Sequence, residues 1–384
     1  MRILLFTGKG GVGKTSSAAA TALATAAQGY RTLVVSTDPA HSLSDALDQE
    51  LAPEPKAVAP NLWAQEFDVY YSMKKHWDNM RNLMLTVFRW RGVKNIVAEE
   101  LSVLPGMEEA SAFLWIEQHY REGKYDVLII DSAPTGETLS LLSLPQVMQS
   151  WVNKAVPKFA IKTAGKFLRK ASGVPLDKGF EELEELFEKL EQVQKIMLNP
   201  KICSIRIVAN PERMVIQEAK RAYTYLQLYG YQVDGIIVNR VLPEEMGAGV
   251  FAQYIKSQKQ YLEDIEESFA PLPIFKAPHL GQELFGLPLL EKMGQLLYKG
   301  EDPAQFFHSE NPFEVEERGQ YYLISIKLPF IQEEDFSVQK FGDELVLDVK
   351  GRRKNIFLPR FANYLQLEKH AFADGQLRLW LKKS

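Results

Sequence analysis

Short, unbroken apolar runs punctuate the first two thirds of the chain: ILLF at 3–6, TLVVS at 32–36, VLII at 127–130, IRIV at 205–208 and GIIV at 235–238. Four or five residues that are apolar on both faces predict strands of a parallel sheet covered by helices on either side. Helical stretches lie between them. The stretch 14–28 carries a run of alanines that allows close packing on a sheet, and Gly29 is placed to stop it. Together these predict an α/β, doubly wound, mostly parallel sheet with a helical subdomain. From about residue 311 the pattern switches to alternation, as in Leu345, Leu347, Val349 and again Leu377, Leu379, Leu381, with FGDE and ADGQ as turn signals. That period of two predicts a C-terminal antiparallel β-sandwich. The polar, proline-bearing stretch between them reads as a linker. The expected division is residues 1–300 for the α/β body, with helical insertions at about 70–120 and 145–200, then a linker at 301–311 and the sandwich at 312–384.

Composition narrows the picture without changing it. With 46% hydrophobic residues in 384, the chain can bury a large core. A net charge of -4 gives no overall basic balance for a nucleic-acid partner. The one cysteine, Cys203, excludes an internal disulfide or a thiolate metal cluster within one chain and suits a reducing compartment. No apolar run reaches the roughly 18 residues that a membrane span needs. The opening MRILLFTGKGG passes straight into a strand and loop, so a cytoplasmic location is expected.

The chemistry begins in that loop. Gly8 to Thr15 read GKGGVGKT, a match to G-x-x-x-x-G-K-[ST] placed between a buried strand and a helix. In such a loop the backbone N–H groups of Gly8, Lys9, Gly10, Gly11, Val12 and Gly13, and of Lys14, Thr15 and Ser16 after them, can turn inward around phosphate oxygens. Lys14 supplies charge to the β and γ phosphates, and the Thr15 hydroxyl can ligate Mg²⁺. Asp38, in STDPAHSLSDAL, follows a sheet strand at the end where α/β ligand sites form, and can orient an attacking water. Asp131 ends the strand KYDVLIID and is expected to hold Mg²⁺ through water, with Gly136 giving freedom to the loop behind it. His41 reads as structural, because phosphoryl transfer needs no imidazole base. The pattern predicts an Mg-dependent ATPase.

GKGGVGKT, STDPAHSLSDA and DSAPTG with TLSLL resemble the three signature segments of the ArsA/guided-entry targeting ATPase family, across essentially the whole α/β body. The second lysine of the loop, Lys9, resembles that of the deviant Walker A group, where it reaches the nucleotide of the partner subunit; the resemblance implies a homodimer. It also implies that Asp38 positions the catalytic water and that Glu212 in NPERM and Asn239 in IIVNR lie near the adenosine. The C-terminal segment, from NPFEVEERGQYYLISIKLPF on, resembles the small heat-shock (α-crystallin) sandwich that some family members append.

The departures carry information too. Ala248 and Phe251 stand where eukaryotic targeting members carry a zinc-binding CxxC pair, so no structural zinc is expected. One P-loop and one cysteine argue against a two-halved arsenite-pump subunit with a thiolate metalloid site. Glu137 stands where members often have histidine in the second switch. Lysines at 154, 158, 162, 166 and 170, with Val152, Val156, Phe159, Thr163 and Phe167 offset from them, describe a basic amphipathic helix, and 83–104 is similarly apolar. The two could wall a groove for hydrophobic client segments, lie against a membrane surface or pack internally. Two functions compete: nucleotide-gated binding or targeting of hydrophobic clients, and energising an anion or arsenite transporter or a metal-cluster assembly.

Overall fold

The computed structural model describes residues 1–37, 42–68, 71, 107–132, 176–246, 251–341, 344–357 and 365–383. All five apolar runs become strands. β1 (Arg2–Thr7), β2 (Thr32–Ser36), β5 (Val127–Asp131) and β6 (Cys203–Ala209) are buried along their whole length, as is most of β7 (Val233–Val241). Three strands with no continuous apolar run complete the sheet: β3 (Lys56–Ala59), β4 (Leu62–Glu66) and β8 (Ile274–Pro278). The order is β3-β4-β2-β5-β1-β6-β7-β8, with every pair parallel except β3 with β4. β1 therefore lies between β5 and β6, where the winding reverses, and this is the position at which such sheets open a crevice beyond their carboxyl ends.

Helix α1 (Lys14–Ala27) follows β1, and Gly29, at φ 93°, takes the left-handed conformation just past its end. Its alanine face admits α7 (Leu287–Tyr298) closely: a Cβ on Gly294 would stand 2.6 Å from the Ala20 carbonyl oxygen. A short α2 (Ser42–Leu47) follows β2; α3 (Met107–Glu122) precedes β5; α4 (Leu176–Met197), α5 (Arg213–Tyr229) and α6 (Ala252–Phe269) come later among the described residues. The apolar segments at 83–104 and 148–170 lie outside the described residues. Cys203 is buried, and burial pushes its thiol up to about 12, so it is inert.

The polar stretch after α7 is a strap fixed beneath the sheet, at the end opposite the P-loop. Arg2 Nε donates to Ala304 O (3.0 Å), Arg206 Nη2 to Pro303 O (2.8 Å) and Gln232 Nε2 to His308 O (3.0 Å). Both arginines pair with one buried carboxylate, Asp234, at 3.0 and 3.2 Å. Burial brings Arg2 down to about 10 against the attraction of Asp234. For Arg206 burial again opposes the charge, but Asp234 and Tyr298 outweigh it and the pKa stands above the ordinary value.

The sandwich has a four-stranded sheet ordered β14-β15-β10-β9 and a three-stranded sheet β11-β12-β13. These strands are β9 (Phe313–Arg318), β10 (Tyr321–Lys327), β11 (Phe336–Phe341), β12 (Glu344–Val349), β13 (Arg352–Phe357), β14 (Gln366–Ala373) and β15 (Gln376–Lys382). The alternating leucines at 345, 347, 377, 379 and 381 face inward with Ile324 and Ile326. Asp374 and Gly375, both at positive φ, make the tight turn that ADGQ announced.

One side of this core is closed by the α/β body: Leu228 of α5 is fully buried within it. Thr224 Oγ1 donates to Pro329 O (2.6 Å), and Phe330 meets Phe269 with ring centroids 5.7 Å apart. Lys354 of β13 sends its ammonium to Leu228 O (2.5 Å), and burial pushes its pKa down from 10.5 to about 7. The folded pKa is the lower one, so between about 7 and 10.5 the released form binds more protons, and docking strengthens as pH rises through that window. The melting temperature of Lys354→Met relative to the parent protein should accordingly fall as pH increases from 7 to 10. A pH-independent difference would remove Lys354 from the linkage.

Candidate nucleotide site

The P-loop occupies residues 8–13 between β1 and α1, and its glycines answer two different demands. A Cβ on Gly8 would stand 2.2 Å from the Val208 carbonyl oxygen of β6, so backbone passes backbone there with no room for a side chain. Gly13, at φ 92°, turns the chain into α1, and a Cβ on it would stand 2.1 Å from Asn239 Nδ2. Gly11 also has positive φ. Two asparagines at the ends of neighbouring strands brace the loop. Asn239 Nδ2 donates to Val12 O (2.9 Å), and Asn210, its amide nitrogen facing the loop, donates to the same oxygen at 3.1 Å. Lys9 is half-buried at the outer turn. Lys14 is buried at the first position of α1, and among the described residues no carboxylate pairs with its ammonium.

Asp131 lies where β5 ends, in register with Phe6 on one side and Ser36 on the other, fully buried. Ser36 Oγ donates to Asp131 Oδ2 (3.3 Å), Thr37 N donates to Asp131 O (2.9 Å), and Ser132 Oγ ties the next residue to Phe6 O (2.6 Å). Thr15 Oγ1 and Ser42 Oγ are 3.1 Å apart. A threonine hydroxyl and a carboxylate are hard oxygen donors, and that donor set fits Mg²⁺ rather than a soft metal. Beside Gly13 and Ser16 opens a pocket of about 500 Å³, lined on its far side by Asn239, Arg240, His279 and Glu283.

The structure thus brings together the loop, Lys14, Thr15, Asp131 and Asn239. Glu212 is exposed at the N-cap of α5, its amide donating to Asn210 O (2.7 Å), which joins it to the loop through Asn210. Asp38, His41, Gly136, Glu137 and Ala248 lie outside the described residues, and Phe251 precedes α6 with its side chain exposed. Sequence reasoning missed Ser36, Ser42, Asn210 and the loop 278–284. Asn210 had a signal, standing before the Pro-Glu pair that leads into α5; the loop had none.

Residues 1–299 match the anion-transporting ATPase family. The chain belongs to that family. Residues 319–380 match the HSP20-like domain found in ArsA, so the antiparallel sandwich is the family's own appendage. A putative arsenical pump-driving ATPase 1 of Aquifex aeolicus is 40% identical over 99% of this chain and 100% of its own length. A putative arsenical pump-driving ATPase of Prosthecochloris vibrioformis is likewise 40% identical, over 99% of this chain and 95% of its own. An ATPase GET3 of Debaryomyces hansenii is 30% identical over 81% of this chain and 93% of its own. As an ArsA-family ATPase the protein binds nucleotide and hydrolyses it. Among the described residues no helix is long and apolar enough to cross a membrane.

Proposed function

We propose that this ATPase binds Mg·ATP at residues 8–16 and the adjoining pocket. It acts as a cytoplasmic homodimer whose nucleotide-driven opening and closing is coupled to capture or targeting of hydrophobic, membrane-protein-like segments. The observation that supports the nucleotide reading is the buried Lys14, which meets no carboxylate among the described residues, at the end of a glycine loop that leads from β1 into α1. A buried cation without counter-charge is costly, and a triphosphate supplies that charge. In this reading the amides of Gly8 to Ser16 hold the phosphates, and the pocket beside Asn239 and Glu212 takes the adenosine. Thr15 would hold the magnesium ion directly and Asp131 would hold it through water. When bound, the cation neutralises charge on the β and γ oxygens. Asp38 orients the attacking water, and Lys9 adds a cation to the nucleotide across the dimer, where negative charge develops during transfer.

A second reading has its own support: the relatives whose printed names are pump-driving match along nearly the whole chain, sandwich included. In that reading the same hydrolysis drives a membrane transporter.

One experiment separates the two and tests the dimer. Static light scattering and fluorescence anisotropy of a labelled apolar helix are followed together with ATP, with ADP and without nucleotide. Client coupling expects ATP to raise the dimer fraction and to change helix affinity at least about 5-fold, a coupling of about 1 kcal/mol. Lys9→Ala should lose the ATP-dependent dimer. Equal helix affinity in all three states would reject client coupling and favour the transporter reading, and unchanged dimerisation of Lys9→Ala would remove the cross-subunit role.

A further inference from the structure

The carboxyl ends of β4, β2 and β5 place Glu66, Ser36 and Asp131 in one row across the sheet, since Ser36 is in register with both neighbours. Residues in register on parallel strands share a face, so two carboxylates flank one serine hydroxyl. Asp131 belongs to the expected cation site. Glu66, although 6% exposed and only two strands away, has so far been given no role. Its two oxygens are both committed to one residue at the start of α2: Oε1 accepts from Ser44 N (2.8 Å) and Oε2 from Ser44 Oγ (3.2 Å). Two residues earlier, Ser42 opens α2 with its hydroxyl 3.1 Å from Thr15 Oγ1.

Helix α2 has only six residues, too few to hold itself by its own hydrogen bonds. The amide of Ser44 is one of the first-turn N–H groups with no partner inside the helix, and Glu66 supplies that partner. The grip on Ser44 therefore fixes where Ser42 stands. A threonine hydroxyl that offers a lone pair to a divalent cation must direct its proton elsewhere, and the cation makes that proton a stronger donor. Ser42 Oγ, 3.1 Å away, is an acceptor within reach.

From this chain of contacts we infer that Ser42 is a positioning residue for magnesium, receiving the Thr15 proton so that Thr15 presents a lone pair to the ion, and that Glu66 holds Ser42 in place through Ser44. The inference rests on the reading of Thr15 as a cation ligand. Its effect falls on metal affinity and leaves metal-free nucleotide binding alone.

The test uses the full chain loaded with ADP. Mn²⁺ affinity is read from the free-ion EPR signal, and ADP affinity in EDTA is read by calorimetry. Ser42→Ala is expected to weaken Mn²⁺ binding about 5- to 10-fold, the range of one lost hydrogen bond between neutral groups, with ADP affinity in EDTA unchanged. Ser42→Thr should restore it. Glu66→Gln, which keeps one acceptor oxygen, should weaken Mn²⁺ binding by less than Ser42→Ala does. Unaltered Mn²⁺ affinity in Ser42→Ala, or an equal loss of ADP binding with and without metal, overturns the inference. Thr15→Ala is the control. If it weakens Mn²⁺ binding while Ser42→Ala does not, only the positioning role fails; if neither does, the cation reading of Thr15 fails with it.

Discussion

Lys14→Met should lower kcat/KM for ATP hydrolysis by about 10²–10³-fold, the range for removing one fixed donor from a developing anionic charge. The same substitution should leave the melting temperature without ATP unchanged or slightly raised. The opposite signs follow from burial. In the folded chain Lys14 is 6% exposed and meets no carboxylate among the described residues, so in the absence of an anion its charge is a cost to stability. With ATP it becomes an attraction, and ligand-induced stabilisation scales with the logarithm of ligand concentration over Kd. The thermal shift produced by ATP should therefore shrink sharply in the variant. A variant that turns over ATP like the parent, or keeps its ATP-induced shift, would mean that the loop does not use this lysine.

The second large effect is expected far from the nucleotide. Asp234→Ala leaves the guanidinium groups of Arg2 and Arg206 buried with no carboxylate between them. Removing one partner of a buried ion pair costs about 3–5 kcal/mol, because the remaining charge is stranded, and here two charges share the loss. The strap at 303–308 hangs from the same arginines through backbone carbonyls, so its hold loosens with them. Urea unfolding followed by far-UV circular dichroism should show a lower midpoint, and limited proteolysis should cut within the strap. An unchanged midpoint would mean that the two arginines are neutralised by something other than Asp234.

The strands of the sheet centre and the P-loop were legible in the chain because their signals are local: four or five apolar residues in a row, or glycines at fixed spacing before a lysine. The strands away from the centre were not. β4 reads LWAQE, and its Gln65 and Glu66 look like surface residues until His119 and Ser44 are seen to satisfy them. Arg206 was a clue passed over: a charge in the middle of the run IRIV implies a buried counter-ion, which Asp234 supplies from the next strand. The stretch after α7 is polar and holds a proline, which predicts a linker; that its main-chain carbonyls accept from distant arginines is a property that side-chain composition does not encode. The same limit applies to the site. Ser36 and Asp131 are 95 residues apart, and only the pairing of β2 with β5 brings them together.

Helix α5 runs without interruption from Glu212, beside the asparagine that braces the P-loop, to Leu228, which is sealed inside the sandwich core. Its 17 residues make a stiff rod about 25 Å long. One end is therefore anchored among the phosphate-loop braces and the other is a structural member of the appended module. With Thr224, Leu228 and Lys354 all engaged along this rod, the module is mounted on the motor rather than tethered to it: any reorientation of the helix axis carries the whole β-structure with it.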